Sequence, residues 1–453
     1  TGFGQAVKDI SMKGIFMEKS LKKDIIINRL PVVIYFILIF AALMVIISAV
    51  APMSNHEPKT TDTYSDFSTG WLNCEESEAS LDHLSGTTVI HRTITAADCN
   101  KTLFFFAKTS NIKVFIDGVC QYRNNHFCSQ FFGKTPGALF VNVLIPAKSD
   151  GKLLEIEIEN PYKDDDSAKL DEMYIGDISD IIQFQQQKRF NSFCISFIIM
   201  VLGVVMLLLF IPLTRQKIVG IEFLNLGVTA FVSGLYLTTD GRYLQLVFGD
   251  AHIYHVIAET ALRLSILPFL IFLSQVYESY SKRISAILCV IGEIAFAGCF
   301  IGEITEIMDY HETLFLVHVV FAISMLFILV STIKGIVKAP KENIYHNIGC
   351  IVLSFMAMTD IIILWRGTGR ETSYFIRLGI LIFFFMEIVQ IIKKFLASYQ
   401  RNIKNELLSR LAYHDGFVFI STKPDIETVF MNASKKMMDN LGCITDGNNI
   451  VPI

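Results

Sequence analysis

The segment Phe190–Thr214 reads FNSFCISFIIMVLGVVMLLLFIPLT and contains no charged residue. A bilayer core about 30 Å thick requires roughly 20 consecutive apolar residues in a helix, because every backbone amide must be hydrogen-bonded within it. This segment is therefore predicted to cross a membrane. Six later segments are predicted to do the same: Phe223–Thr239, His255–Tyr277, Ile284–Gly302, Thr313–Thr332, Ile348–Leu364 and Tyr374–Ile392. The sequence thus predicts a seven-helix transmembrane domain over residues 189–394.

The composition of the whole chain agrees with this prediction. Of 453 residues, 52% are hydrophobic and 18% are charged, and the mean hydropathy is +0.48. Soluble domains carry about 25% charged residues, so the surplus of apolar residues is predicted to face lipid. The formal net charge of −4 shows no basic excess of the kind typical of nucleic-acid-binding proteins, and no nucleic-acid partner is expected.

An eighth apolar segment, residues 30–53, precedes the bundle and follows a basic stretch, residues 1–29. It is predicted to be a retained membrane anchor. A cleavable signal peptide is the alternative, because the sequence AVA at residues 49–51 fits a cleavage site, although the segment exceeds the roughly 7 to 15 residues of a secretory apolar region. Lysine and arginine concentrate in alternate loops, which places the N-terminus and the C-terminus in the cytoplasm and residues 54–188 outside.

The external segment, residues 54–188, is polar and has strand-like runs separated by turn residues, without a helical period. Asp117-Gly118 predicts a hairpin turn. About 130 residues suffice for one sandwich core, so the segment is predicted to be a β-sandwich sensor domain. Its clearest predicted strands are Thr102–Ala107, Lys113–Ile116, Leu139–Leu144 and Leu153–Ile158.

Four of the nine cysteines lie in the external segment. In an oxidising exterior Cys74, Cys99, Cys120 and Cys128 could form two disulfides, with three possible pairings. Their spacing includes no C-x-x-C and no paired histidine, so neither a metal site nor a cofactor is expected.

Three stretches of the external segment resemble a known family. They are LFFFAKTSNIKVFIDGVCQYR (Leu103–Arg123), TPGALFVNVLIPAKSDGKLLEIEIENPY (Thr135–Tyr162) and YIGD from Tyr174. Together with the seven spans that follow, they resemble bacterial seven-transmembrane receptors with diverse intracellular signalling modules, over about residues 66–394. The resemblance implies a galactose-binding-like jelly roll, a bacterial plasma-membrane location and sensing of an extracellular small molecule such as a carbohydrate. The long anchor departs from the family, where a cleavable signal is expected.

Aromatic residues of the external segment are the candidates for ligand contact. Trp71, Tyr122, Phe131 and Phe132 could form a platform that stacks on a sugar ring. The alternative is that they are core or edge residues of the sandwich.

Charged residues inside the predicted spans require partners, because each costs roughly 2.5 to 3.5 kcal/mol at the centre of a span. Glu259 and Arg263 are four residues apart, so they are predicted to form an ion pair on one helical face. Further polar residues are predicted either to join helices structurally or to couple the two sides of the membrane: Glu293, His318, Asp360 and Arg377.

The segment after the last span continues an apolar stripe at three-to-four spacing. Residues 395–415 are therefore predicted to form a cytoplasmic signalling helix that pairs with a second copy, the alternative being an amphipathic helix on the bilayer. Residues 416–453, beginning GFVFISTKPDIETVFMN, are similar to the start of a PAS domain, and LAYHD (Leu411–Asp415) resembles the segment that leads into bacterial diguanylate cyclase domains. A complete PAS domain needs roughly 100 residues, so we expect a piece of a longer protein.

No P-loop, zinc-protease, nucleophile-elbow or dinucleotide motif occurs in the sequence, so no catalytic residue is assigned. The predicted function is a transmembrane receptor that senses an extracellular small molecule and relays the signal to a cytoplasmic output, with a diguanylate cyclase downstream favoured. A histidine kinase receptor and a transporter or channel are the alternatives. The expected partners are the ligand, the lipid bilayer and a second copy of the chain.

Overall fold

The computed structural model describes residues 63–124, 137–162, 168–215, 219–276, 281–338, 343–365, 373–413, 443–446 and 449–452. The chain divides into two compact units, Thr1–Glu387 and Ile388–Ile453. In the first unit a β domain precedes a set of long helices. The predicted anchor, residues 30–53, and most of the PAS-like segment, residues 416–442, lie outside the described residues.

The β domain consists of two antiparallel sheets. The strands are β1 (Tyr64–Asp66), β2 (Leu72–Asn73), β3 (Thr87–Thr93), β4 (Thr102–Lys108), β5 (Asn111–Ile116), β6 (Val119–Arg123), β7 (Ala138–Leu144), β8 (Leu153–Glu159) and β9 (Lys169–Gly176). The strand orders are β1-β9-β4-β7 and β2-β3-β8-β5-β6. The four predicted strands are all present, as β4, β5, β7 and β8.

The side-chain pattern of the strands explains how the two sheets share one core. In β8, Leu154, Ile156 and Ile158 alternate with glutamates, and these three apolar side chains are fully buried in a core that both sheets supply. In β4 the run LFFFA is buried on both faces of the strand. One face therefore packs in the core, and the other must be covered by a different part of the molecule.

The predicted hairpin turn joins β5 to β6. Asp117 and Gly118 have φ angles of 54° and 74°, as a type I′ turn requires at both central residues.

Seven helices are long and apolar enough to cross a membrane within the part of the chain that the structure describes. They agree with the seven predicted spans, although most extend further at one or both ends. With the short helix α3, the helices are α1 (Ile178–Arg215), α2 (Ile221–Asp240), α3 (Tyr243–Phe248), α4 (Ala251–Val276), α5 (Ser281–Ile304), α6 (Leu314–Lys338), α7 (Ile344–Trp365) and α8 (Tyr374–Tyr413).

Helix α1 begins well before the predicted span. Asp177 explains its start, because its carboxylate accepts the N–H of Ser179 at 2.8 Å as an N-cap. The polar residues that follow therefore continue a helix that the hydropathy pattern alone places only from Phe190 onward.

The second unit contains the end of α8, up to Tyr413, and a hairpin of β10 (Cys443–Asp446) and β11 (Asn449–Pro452). Helix α8 continues through residues 395–413, as the three-to-four spacing of apolar residues predicts.

Candidate functional site

The outer face of the four-stranded sheet lies against the helices, and we call this contact zone the junction. Phe104 and Phe140 stack on the sheet surface with ring centroids 5.4 Å apart. Two arginines from the helical side lie over rings of this sheet surface. The guanidinium of Arg242 lies 4.1 Å from the ring centroid of Phe106, and the guanidinium of Arg189 lies 4.9 Å from the ring centroid of Phe140. Both contacts are of the cation–π type.

An ion-pair network joins β9 to α1 at the junction. Glu172 binds Arg189 through both carboxylate oxygens, at 2.6 and 2.9 Å, and Lys188 at 2.7 Å. Gln185 accepts a further hydrogen bond from the Arg189 guanidinium, which is almost fully buried. Burial alone would raise the pKa of Glu172, but the charges and hydrogen bonds of Arg189 and Lys188 hold that pKa below its ordinary value.

Aromatic residues pack beside this network. Tyr64 and Tyr174 of the sheet and Phe184 of α1 have ring centroids 5.7 to 5.9 Å apart. Burial, reinforced by the charge of Glu172, raises the pKa of Tyr174 to about 12, so its phenol stays neutral at physiological pH.

A second connection runs from the β domain to the loop between α5 and α6. The buried hydroxyl of Tyr162 donates a hydrogen bond to the carboxylate of Asp309, and the Tyr162 ring lies 4.4 Å from the ring of His311. Asp309 and Glu312 hold the loop by reciprocal hydrogen bonds to each other's backbone N–H groups, at 3.0 and 2.9 Å. The loop is thus fixed on one side by the β domain.

The same loop contacts a buried arginine of α4. Arg263 binds Glu259 at 2.6 Å, donates to the Tyr310 carbonyl at 2.7 Å and to Thr313 Oγ1 at 3.1 Å. Its guanidinium also lies 4.1 Å from the Tyr310 ring centroid. Asp309 and Tyr310 are neighbours in the chain, so a continuous line of contacts runs from Tyr162 to the interior of the helical domain.

Glu303 lies at the end of α5 beside this network and is 3% exposed. Its carboxylate accepts the backbone N–H of Tyr310, while Oε2 has no hydrogen-bond partner among the described residues.

A cavity of about 430 Å³ opens in the junction beside the stacked rings. The β domain and the helical side both contribute to its walls. The lining residues are Phe104, Tyr122, Arg123, Asn124, Leu139, Phe140, Asn142, Ile182, Gln245, Leu246, Gly249, Asp250, Ala251 and His252.

The short helix α3 enters and leaves this region through strained backbone. Arg242 before it and Asp250 after it have φ angles of 60° and 49°, which non-glycine residues rarely adopt. Such conformations persist where surrounding contacts over-determine them, and here Arg242 stacks on Phe106 while Asp250 caps α4.

The four aromatic candidates from the sequence occupy different positions. Trp71 is 1% exposed and donates its indole N–H to the Phe67 carbonyl at 2.8 Å, so it belongs to the core and its ring is closed to a ligand. Tyr122 is half-buried and lines the cavity. Phe131 and Phe132 lie outside the described residues.

The polar residues of the spans also separate into groups. Glu259 and Arg263 form the ion pair described above. Asp360 accepts the N–H of Ile376 at 2.6 Å and so caps α8, and Arg377 lies 4.0 Å from Asp240. Glu293 is exposed on the surface of the helical domain, and His318 is half-buried near Glu259 and Arg263.

One polar cluster in the spans was not anticipated from the sequence. His346 of α7 is in hydrogen-bond contact with Glu387 of α8, and the sulfur of Cys350 lies 3.6 Å from His346 Nε2. Nothing in the predicted spans links His346 to Glu387, because the two residues are 41 positions apart in the chain. The sequence also gave no indication of the roles of Glu172, Tyr162, Glu303 and Asp309.

The cysteines of the β domain that the structure describes, Cys74, Cys99 and Cys120, are free thiols. Cys128 lies outside the described residues. The interpretation of two disulfides therefore has no support in the described part of the chain. No group of histidine, cysteine and acidic residues suited to a metal ion occurs there either.

The helices and the junction define a multi-pass membrane protein with an antiparallel β domain packed on one end of its helices. No protein-family model, curated protein or solved structure matches the chain.

Proposed function

We propose that this protein is a transmembrane receptor that senses an extracellular small molecule with its β domain and relays the signal through seven helices to a cytoplasmic output. The observation that carries the proposal is the continuous line of contacts from the β domain, through Tyr162 and Asp309, to Arg263. A ligand that changes the position of the β domain would act on the loop after α5, and through it on α4. A domain used only for anchoring would not require this buried polar connection.

The finer parts of the proposal rest on sequence resemblance, on the distribution of lysine and arginine over the loops and on the apolar stripe after the last span. The β domain is a galactose-binding-like jelly roll, the protein resides in the bacterial plasma membrane, and both termini are cytoplasmic. The end of α8 pairs with a second copy and leads through a PAS-like segment to a diguanylate cyclase. Repacking of packed helices between two arrangements is a known route for such signals.

The test is cyclic di-GMP synthesis from GTP by membranes that contain the product of the complete gene. Tyr162→Phe removes the donor of the buried hydrogen bond with little change of shape, Asp309→Ala removes its acceptor, and we expect either to change basal synthesis several-fold. Tyr64→Phe is the matched control, because Tyr64 also lies in the junction but its hydroxyl has no hydrogen-bond partner within the described residues.

Unchanged synthesis in both variants would contradict the coupling role of the junction. Absence of synthesis from the complete product would contradict the cyclase output. Accumulation of a solute by proteoliposomes containing the protein would instead favour a transporter.

A further inference from the structure

The cavity of the junction has the size and position of a ligand site. Its volume of about 430 Å³ lies within the roughly 300 to 1,000 Å³ that is usual for small-molecule pockets. Because β4, β6 and β7 supply one wall and α1, α3 and α4 supply the other, a molecule bound there contacts both parts of the junction.

One side of the cavity offers hydrogen-bond donors. Arg123 is exposed and makes no ion pair or hydrogen bond within the described residues. Next to it in the chain, Asn124 accepts the N–H of Ile112 through Oδ1 at 3.0 Å, while its Nδ2 is buried without an acceptor. A guanidinium and an unsatisfied amide N–H at one wall suit a carboxylate, which accepts several hydrogen bonds at once.

The opposite wall carries a carboxylate. Asp250 is exposed, and its Oδ1 accepts the N–H of Ile253 at 3.3 Å as the N-cap of α4. Its other oxygen has no partner in the described parts of the chain. Asp250 is thus available to an ammonium group without giving up the helix cap.

Arg123 and Asp250 line the same cavity but do not pair with each other in the described structure. A neutral sugar would leave both charges without a counter-charge, whereas a ligand with one charge of each sign would neutralise both. The half-buried rings of Phe140 and Tyr122 provide an apolar surface for the rest of such a ligand.

We propose that the junction cavity binds a small zwitterion of the α-amino acid class, with its carboxylate at Arg123 and Asn124, its ammonium at Asp250 and its side chain against the aromatic rings. This inference rests on the proposed receptor function and specifies its ligand.

The test measures binding to the full chain in detergent, by calorimetry and by shift of the melting temperature. The probes are the standard amino acids, each with its decarboxylated amine and its deaminated acid. We expect at least one amino acid to bind, and its amine and its acid to bind at least about tenfold more weakly, because each lacks one charge-assisted contact.

Two variants test whether Arg123 binds the carboxylate of the ligand and Asp250 its ammonium group. Arg123→Gln should weaken binding of the amino acid at least about tenfold and leave binding of the amine unchanged. Asp250→Asn keeps an N-cap residue. It should weaken binding of the amino acid and leave binding of the deaminated acid unchanged. Lys148→Gln and Asp150→Asn are matched controls, because both residues are exposed in the β domain and neither lines the cavity.

Binding of neutral sugars but of no amino acid would overturn the zwitterion and leave the receptor proposal intact. Amino acid binding that both Arg123→Gln and Asp250→Asn leave unchanged would overturn the cavity as its site. Absence of binding of both amino acids and neutral sugars would also overturn the inference, while the effect of Tyr162→Phe on synthesis decides the receptor proposal separately.

Discussion

Glu172 is the residue through which β9 holds the first long helix. Its carboxylate is 14% exposed and contacts Lys188 and the buried Arg189, so Glu172→Gln would leave the arginine without its counter-charge. We expect a loss of about 2 to 3 kcal/mol in the free energy of unfolding at neutral pH, measured by denaturation in detergent. Glu157→Gln is the control: its pair with Lys113 is more exposed, and the expected loss is below about 1 kcal/mol.

The effect of pH on Glu172 has a defined sign. Its pKa is lowered in the folded protein, so its contribution is complete above the ordinary carboxyl range and disappears as the pH falls through the lowered pKa. The stability difference between wild type and Glu172→Gln should therefore shrink in acid. A difference that stays constant down to strongly acidic pH would contradict the ion-pair explanation.

Arg263 has a larger expected effect because its guanidinium is almost completely buried. Arg263→Gln removes the counter-charge of Glu259 and a hydrogen bond to the Tyr310 carbonyl, and we expect a loss of about 3 to 5 kcal/mol. The measurement is again denaturation in detergent. Glu293→Gln is the control, since Glu293 is exposed on the helical surface, and a similar loss in both variants would contradict the explanation.

The distance between partners along the chain explains which residue contacts could be predicted. Glu259 and Arg263 are one helical turn apart, so spacing alone indicates their pairing. Tyr162 and Asp309 are 147 positions apart, and only the docking of the β domain brings them together. Trp71 and Tyr122 look alike as aromatic residues in a β segment, and only the fold shows that one is in the core and the other lines a cavity.

At the scale of elements, α1 and α2 approach closely where each has a glycine. A Cβ atom at Gly234 would come within 2.8 Å of Met200 Cβ and closer still to the Met200 backbone, so Gly234→Ala forces the helices apart. We expect a loss of about 1 to 3 kcal/mol, measured as a lower melting temperature in detergent. Gly298→Ala is the matched control: a Cβ there has no neighbour within 4 Å, and alanine favours a helix by about 0.5 to 1 kcal/mol. Equal shifts in both variants would contradict close packing of α1 and α2.

Periodicity and hydropathy predicted the elements better than their ends. The alternation in β8 and the Asp117-Gly118 turn are local features, and both are present in the structure. Helix α1 starts earlier than its apolar segment because Asp177 caps its first turn. The turns that follow are polar, so hydropathy does not detect them. The short helix α3 was not predicted, since six residues give too little periodicity.

At the scale of the whole molecule, the sheet that faces the helices explains the aromatic run of β4. A strand with one face in the core and the other in water would alternate, whereas LFFFA is buried on both faces. Arg242, in the turn before α3, lies over Phe106 of this run, and Arg189 of α1 lies over Phe140 of the neighbouring strand β7. The β domain is thus built to pack on the helices.

The proposed orientation places the β domain outside the cell and the end of α8 in the cytoplasm. Cys74 and Cys120 are exposed free thiols, so a membrane-impermeant maleimide should label spheroplasts that express the protein. Replacing Cys443 and the cysteines of the β domain (Cys74, Cys99, Cys120 and Cys128) by alanine should abolish this labelling. Adding Gln400→Cys to that variant, at an exposed position of α8, should restore labelling only after permeabilisation. Labelling of Gln400→Cys in intact spheroplasts would show the opposite orientation, in which the β domain faces the cytoplasm.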